Sequence, residues 1–575
     1  MGRSVAPVPT GVGVPVELVS PGKGYRVEIG EDGAGGARYR MWAGDSVVVG
    51  WSPLGLDGDV VGGVSATKPV LHSSHFVWPL GEDSVIDNTY TELEVSFRGV
   101  ETRLDVRLYD GALAFRYLAK GNIRGELTGY NLPGPYTIYQ YNQESVFTPV
   151  AVDTMRKTCD LPATLTNGRY YLSIGEADNE GYTKAELAVR GGLLRVVYPR
   201  DTVVGVSGAT PWRTISVARS AVGLHAFSQL YLKLVPGGSG ARASAPGKLI
   251  RSALTTRAGM DCIDFAAAHR CRYILFDAGW YGSEWRGSSD PRTPIAAIDM
   301  PAVIRHGKEK GIGVILYVNY VGLRAHLDSL LPLYKSWGVS GMKFGFVDGL
   351  TQEGLRWLVW AIEKVNDYGF VLDIHDNYKP TGLSRKWPGL LTQEGIRGDE
   401  NSPDAWHTTV LPFTRFMAGP ADFTFCYPNP KNSFSKNLKV SKAQQLALTV
   451  VYFSPLQSIF WYGNPNDYTD ESDIEFFSLV PTVWSESRYL SGEIGRYISV
   501  ARRSGSTWYI GNAAGPSDWD GSIQLDILQP GRVYSGTVYE DDGKGGISKR
   551  TVQLRKGDRF YFHIAAAGGQ AMILR

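Results

Sequence analysis

Hydrophobic and polar positions change their rhythm twice along this chain. From the N-terminus to about residue 245 they alternate over short runs. DSVVVGW, TELEVSFRG, TRLDVRLYDG, LAFRYLAKG, AELAVRGG and LLRVVYP are separated by Gly, Pro and Asn. Period-two alternation with turn residues between predicts a large antiparallel β-sandwich over 1–247. The stretch VPGGSGARASAPG at 235–247 reads as its closing linker.

From 248 to 485 short apolar runs alternate with helical stretches. YILFDAGW (273–280), GVILYVNY (313–320), GMKFGFV (341–347) and FVLDIH (370–375) each follow a segment with helical spacing. With LIRSALTT (249–256) as the first strand, later ones are expected near 389–393, 421–425 and 456–462. About eight such strands make a (β/α)8 barrel. Residues 486–575 return to alternation, in GRYISVARRSGSTWYIGNAAG and RTVQLRKGDRFYFHIAAAGGQAMILR, and predict a small C-terminal β-sandwich. The expected fold class is therefore multidomain, all-β flanking α/β.

Composition narrows the function classes. A formal net charge of +2 on 575 residues gives no field to gather nucleic acid or an anionic membrane, so neither is an expected partner. No window is long and apolar enough to span a bilayer. The first twenty residues hold one Arg and no apolar core, which predicts a cytoplasmic protein unless a leader has been removed. The four Cys, at 159, 262, 271 and 426, form no CxxC pair, which argues against a thiolate zinc site. Cys262 and Cys271 read as buried free thiols. Fifteen Trp and 31 Tyr suit both β-rich cores and sugar rings.

Barrel chemistry sits at the C-terminal ends of the strands. There this sequence places Asp277 and Trp280, Asn319 and Tyr320, Lys343 and Asp348, His375 and Asp376, and then Glu394 and Glu400. Singly, each has a duller reading; Asp348, for instance, could be a helix cap. Together, five neighbouring strands bring carboxylates, a His and a Lys to one rim. Glycoside hydrolysis needs such a set, one carboxyl to protonate the leaving oxygen and one carboxylate as base or nucleophile. Carboxylates without Cys or an HExxH pattern also favour a hard, oxygen-liking ion such as calcium.

At these residues the chain resembles glycoside hydrolase family 97. The most specific stretch is HDNYKPTGLSRKWPGLLTQEGIRGDE (375–400), with a His, a Pro-Thr-Gly turn, an Arg-x-Trp-Pro and Glu-x-x-Arg-Gly-x-Glu; LPFTRFMAGPADFT (411–424) also matches. In the N-terminal domain YLSIGEADNEGY (171–182) looks like the segment that sends a Glu into the barrel mouth. The resemblance implies a β-super-sandwich, a (β/α)8 barrel and a C-terminal β-domain. It implies Glu400 as general acid, and Glu176, Asp376 and Glu394 as Ca2+ ligands. It also implies Asp376 as base and His375 and Lys343 as substrate contacts. Asp277, Trp280 and Tyr320 are further candidates for sugar contact. Retaining members have an Asp nucleophile in a Lys-x-Asp pattern on strand four, where this chain has Lys343-Phe344-Gly345. Inverting members carry a base Glu at the end of strand three, where this chain has Tyr320. Asp348 could substitute for either.

The expectation is thus a calcium-assisted hydrolase of terminal α-linked sugars. It is inverting and α-glucosidase-like, with Glu400 as acid and Asp376, or Asp348, as base. Its alternatives are an α-galactosidase of the same family, a carbohydrate-binding relative that lost its base, or a barrel enzyme acting on a non-sugar. Sequence leaves the oligomeric state open.

Overall fold

The structure is a computed structural model that describes residues 8–9, 15–32, 34–59, 62–238, 245–469 and 472–575. Part of the expected linker, 239–244, lies outside the described residues.

Seven parallel strands form the centre: β1 (Gly247–Ser252), β2 (Tyr273–Phe276), β3 (Gly313–Asn319), β4 (Gly341–Gly345), β5 (Val371–Ile374), β6 (Leu390–Gln393) and β7 (Leu456–Ile459). They pair in the order β6-β5-β4-β3-β2-β1-β7. β2, β4, β5, β6 and β7 are buried at every position. Such continuous apolar strands belong to a parallel sheet covered on both faces. The segment expected as another strand, 421–425, is not a regular one. It fills the gap between the sheet edges through single bonds: Asp422 N donates to Gln393 O and Phe425 N to Ser458 O. Thr424 takes a left-handed φ of 55°, which interrupts any ladder there.

The helices between strands start and stop on local signals. α1 (Thr256–Ala268) is capped by Thr255, α2 (Met300–Lys310) by Asp299, α3 (Tyr320–Trp337) by Asn319 and α4 (Gln352–Asp367) by Thr351. In each case the side-chain oxygen accepts from a first-turn N–H. Gly311 and Gly338 close α2 and α3 with positive φ. After β6 the chain runs through short 3-10 turns and a six-residue α-helix, Ala405–Val410, before α5 (Lys442–Val451).

The N-terminal region is mainly β, with one twelve-stranded and two four-stranded sheets among the described residues and a short α-helix, Leu230–Leu234. The C-terminal region has a six-stranded antiparallel sheet, a two-stranded one and its own apolar core around Trp508, Ile510, Leu525, Val538 and Met572. Arg502 joins all three parts. Its guanidinium is fully buried, donates to Val450 O and Val451 O of α5, and pairs with Glu82 of the N-terminal region at 2.8 Å. All four Cys are buried free thiols. Among the described residues no helix is long and apolar enough to cross a membrane.

Candidate active site

Glu400 lies in a 3-10 turn, Asp399–Asn401, just beyond β6. Asp399 pins that turn: its carboxylate is buried and accepts from Cys426 N at 2.8 Å and Gln445 Nε2 at 2.9 Å. Burial pushes the Asp399 carboxyl up to about 7. With Asp399 held inward, Glu400 faces the barrel mouth, where its Oε2 accepts from Trp461 Nε1 at 2.9 Å and Tyr462 Oη at 3.3 Å.

Beside it stand three more carboxylates, Glu144, Asp376 and Glu394, each with an oxygen within 4.8 Å of the others'. Asp376 is in the left-handed region, φ 70°. That turn lets its N–H donate to Glu394 Oε2 at 2.7 Å while its carboxylate accepts from Phe346 N. Glu394 Oε1 is buried with no partner among the described residues. Burial, then the charges of Glu394 and Asp376, push the Glu144 carboxyl up to about 8. Three crowded carboxylates, one with an orphaned oxygen, fit a hard cation held by oxygen alone.

The N-terminal carboxylate in this group is Glu144, not the expected Glu176. Arg213 takes Glu176 away: the two are paired, Asn179 Nδ2 donates to Glu176 Oε1 at 2.9 Å, and Arg213 also binds Glu126. Arg213 is fully buried, and losing either carboxylate would leave its charge less well paired in the interior.

Under the mouth His375 sits in a carboxylate cage. Nδ1 is 3.0 Å from Glu394 Oε2, and Nε2 is 2.9 Å from Asp422 and 3.3 Å from Asp373. Burial opposes protonation, but Glu394 and Asp373 outweigh it and hold His375 well above its usual range. Held by these three carboxylates, His375 fixes the orientation of Glu394. Lys343 Nζ lies 3.0 Å from Asp277 and 4.3 Å over the Trp461 ring, and Arg251 Nε is 3.1 Å from Asp277.

Besides Glu176, three further candidates fall outside this assembly. Asp348 is an intraloop cap: its carboxylate accepts from Leu350 N, Thr351 N and Thr351 Oγ1 at 2.9, 3.1 and 2.6 Å. Tyr320 is the first residue of α3 and packs edge-on against Trp357 at 5.6 Å. Trp280 is fully buried and donates to Tyr317 O at 2.6 Å, a core role rather than a sugar platform. The exposed aromatics at the mouth include Tyr462, beside Glu400, and Trp285 and Phe346, 57% and 47% exposed, with ring centroids 4.4 Å apart.

Sequence reasoning passed over Asp373, Asp422, Trp461 and Tyr462, although all lie at or near strand ends. The rule that barrel sites gather there would have found them. Glu144 and Glu284 carry no such signal, since each sits in a polar loop.

The models for Glycosyl-hydrolase 97 N-terminal, Glycoside hydrolase 97, and Glycosyl-hydrolase 97 C-terminal, oligomerisation, match residues 18–236, 241–396 and 483–575. The chain belongs to glycoside hydrolase family 97, and it is a glycosidase. It is 28% identical over 94% of its length, and 89% of the relative's, to a probable retaining alpha-galactosidase of Streptomyces bingchenggensis. It is 26% identical, over 86% and 87% of the two lengths, to a retaining alpha-galactosidase of Bacteroides thetaiotaomicron. Its fold matches a family 97 enzyme of Pseudoalteromonas sp. strain K8, solved with panose, at TM-score 0.89 and 23% identity, covering 97% of this chain and all of that one.

Proposed function

We propose that this chain is a retaining α-glycosidase that removes terminal α-galactosyl groups, with Glu400 as general acid and Ca2+ at Glu144, Asp376 and Glu394. The observation that carries this reading is the end-to-end similarity to two relatives named retaining alpha-galactosidases. The inverting, α-glucosidase-like course expected from sequence gives way to it. So does the role of Asp376 as base, whose carboxylate accepts from Phe346 N within the cation-holding group.

Glu400 protonates the glycosidic oxygen as the bond to the anomeric carbon breaks, then takes a proton from water in the second half-reaction. Trp461 and Tyr462 fix its carboxyl in place. Lys343 and Asp277 form a buried charged pair at the floor, suited to sugar hydroxyls. A bound divalent ion would keep Glu144, Asp376 and Glu394 ionised and add positive charge beside the substrate oxygens. The physiological substrate is an oligosaccharide or other α-glycoside.

Proton NMR of the first-formed sugar from aryl α-galactoside and α-glucoside tests the reading. Release of α-galactose first is expected. Release of the β-anomer first would overturn retention, and faster cleavage of the glucoside would overturn the specificity.

A further inference from the structure

Retention requires a carboxylate or equivalent nucleophile opposite the acid, and β4 offers none. It ends Lys343-Phe344-Gly345, and a Cβ at Gly345 would collide with the ring and hydroxyl of Tyr317, which would have to move. Tyr317 fills the space a β4 side chain would use, so the missing group must arrive from another element.

A census of the mouth carboxylates leaves few to choose from. Asp277 is bound by Lys343 and Arg251, Asp348 caps its own loop, and Asp373 and Asp422 face His375. Glu144, Asp376 and Glu394 form the cation-holding group, and Glu400 is the acid. Glu284, on the loop after β2, remains. Its carboxylate has no assigned work, and Oε2 is buried with no hydrogen-bond partner among the described residues.

Its position suits the task. Glu284 lies in electrostatic reach of Asp277, Lys343 and Asp376, at the ends of β2, β4 and β5. It is also the foremost charge acting on the Tyr317 phenol. The next residue, Trp285, packs at a tilt against Phe346 and so ties this loop to the end of β4. The buried Glu284 Oε2, without a hydrogen-bond partner among the described residues, marks a place where a bound molecule can supply the missing interaction.

We propose that Glu284 is the catalytic nucleophile, delivered by the β2 loop to the place that Gly345 and Tyr317 deny to β4. The proposal rests on the retaining reading given above. A Glu284 carboxylate oxygen forms an ester to the anomeric carbon as the glycosidic bond breaks, and the leaving oxygen takes the Glu400 proton. Water then attacks the anomeric carbon and gives its proton to Glu400. The ester bond breaks and Glu284 regains its carboxylate, so two inversions give net retention.

The experiment is active-site labelling of the intact protein with 5-fluoro-α-galactosyl fluoride, followed by peptide mass spectrometry. The label is expected on Glu284. A label on Asp376 or any other residue overturns the proposal while leaving retention standing. Glu284→Ala supplies a second readout: kcat/KM for an aryl α-galactoside should fall at least ~10³-fold, with azide restoring turnover as β-galactosyl azide. Thermal unfolding near the parent value shows that this loop variant folds. Unchanged activity, or a folded variant that gives no azide product, overturns the assignment. A β-anomer released first by the parent enzyme would instead sink retention itself.

Discussion

At the scale of single residues, the chemistry divides among carboxylates by what each already holds. Glu400 is held by two donors and is free to move a proton. Glu400→Gln should lower kcat/KM for an aryl galactoside with a poor leaving group by ~10²–10⁴-fold. With a dinitrophenyl leaving group, which needs no proton, the loss should be much smaller. Equal losses on both substrates would show that Glu400 is not the acid. Glu144 and Glu394 crowd together with Asp376 in the group proposed to hold Ca2+. Glu144→Gln should raise the Ca2+ concentration needed for thermal stabilisation, read by unfolding with chelator and added metal; an unchanged calcium response would remove Glu144 from the site. Glu400, Glu394 and His375 were legible because one motif spaces them along β5, β6 and their loops. Glu144 was not, because it comes from a loop more than 200 residues away in sequence and only folding brings it to the mouth.

At the scale of elements, loops after the strands carry function and the strands carry rigidity. The β2 loop presents Trp285 against Phe346, an exposed apolar face at the rim of the charged mouth. Sugar rings stack on such faces, so Trp285→Ala should raise KM for an oligosaccharide several-fold with a smaller change in kcat. A fall in kcat alone would place Trp285 outside the binding path. The early strands were readable because both faces of a parallel strand are apolar over four or more residues. The segment at 421–425 has the same apolar look, yet Thr424 and the gap geometry leave it irregular. Tyr320 and Trp280 misled for a related reason: a strand end names a neighbourhood, and the helix start or core packing decides which way a side chain goes.

At the scale of the whole molecule, the three regions are locked by buried charge and by a buried neutral ring. Removing one partner of the Glu82–Arg502 pair leaves the other stranded, and Glu82→Ala should cost ~3–5 kcal/mol. Denaturant unfolding measures it, and a cost below ~1 kcal/mol would mean that water replaces the lost carboxylate. His225 stacks on Tyr489 at 3.5 Å, and both its ring nitrogens are buried without partners among the described residues. Burial lowers its pKa from 6.5 to about 3. Below pH 6.5 the unfolded chain therefore takes up a proton that the folded chain refuses. Stability should fall as pH drops from 6.5 towards 3, by ~2 kcal/mol at pH 5 from this group alone. His225→Phe should flatten that part of the pH–stability curve; an unchanged slope would assign acid sensitivity elsewhere.

Sequence by itself determined the three-part architecture, the barrel and the carboxylate-rich motif with Glu394 and Glu400, because periodicity and local spacing are properties of neighbouring residues. Only the tertiary structure decided which carboxylates share a site. Arg213 withdraws Glu176, Asp348 folds back onto its own loop, Glu144 crosses from the N-terminal region, and Tyr317 closes the space at Gly345. Each of those outcomes depends on a partner far away in sequence, and the free energy of a buried charge is set by that partner rather than by the residues beside it.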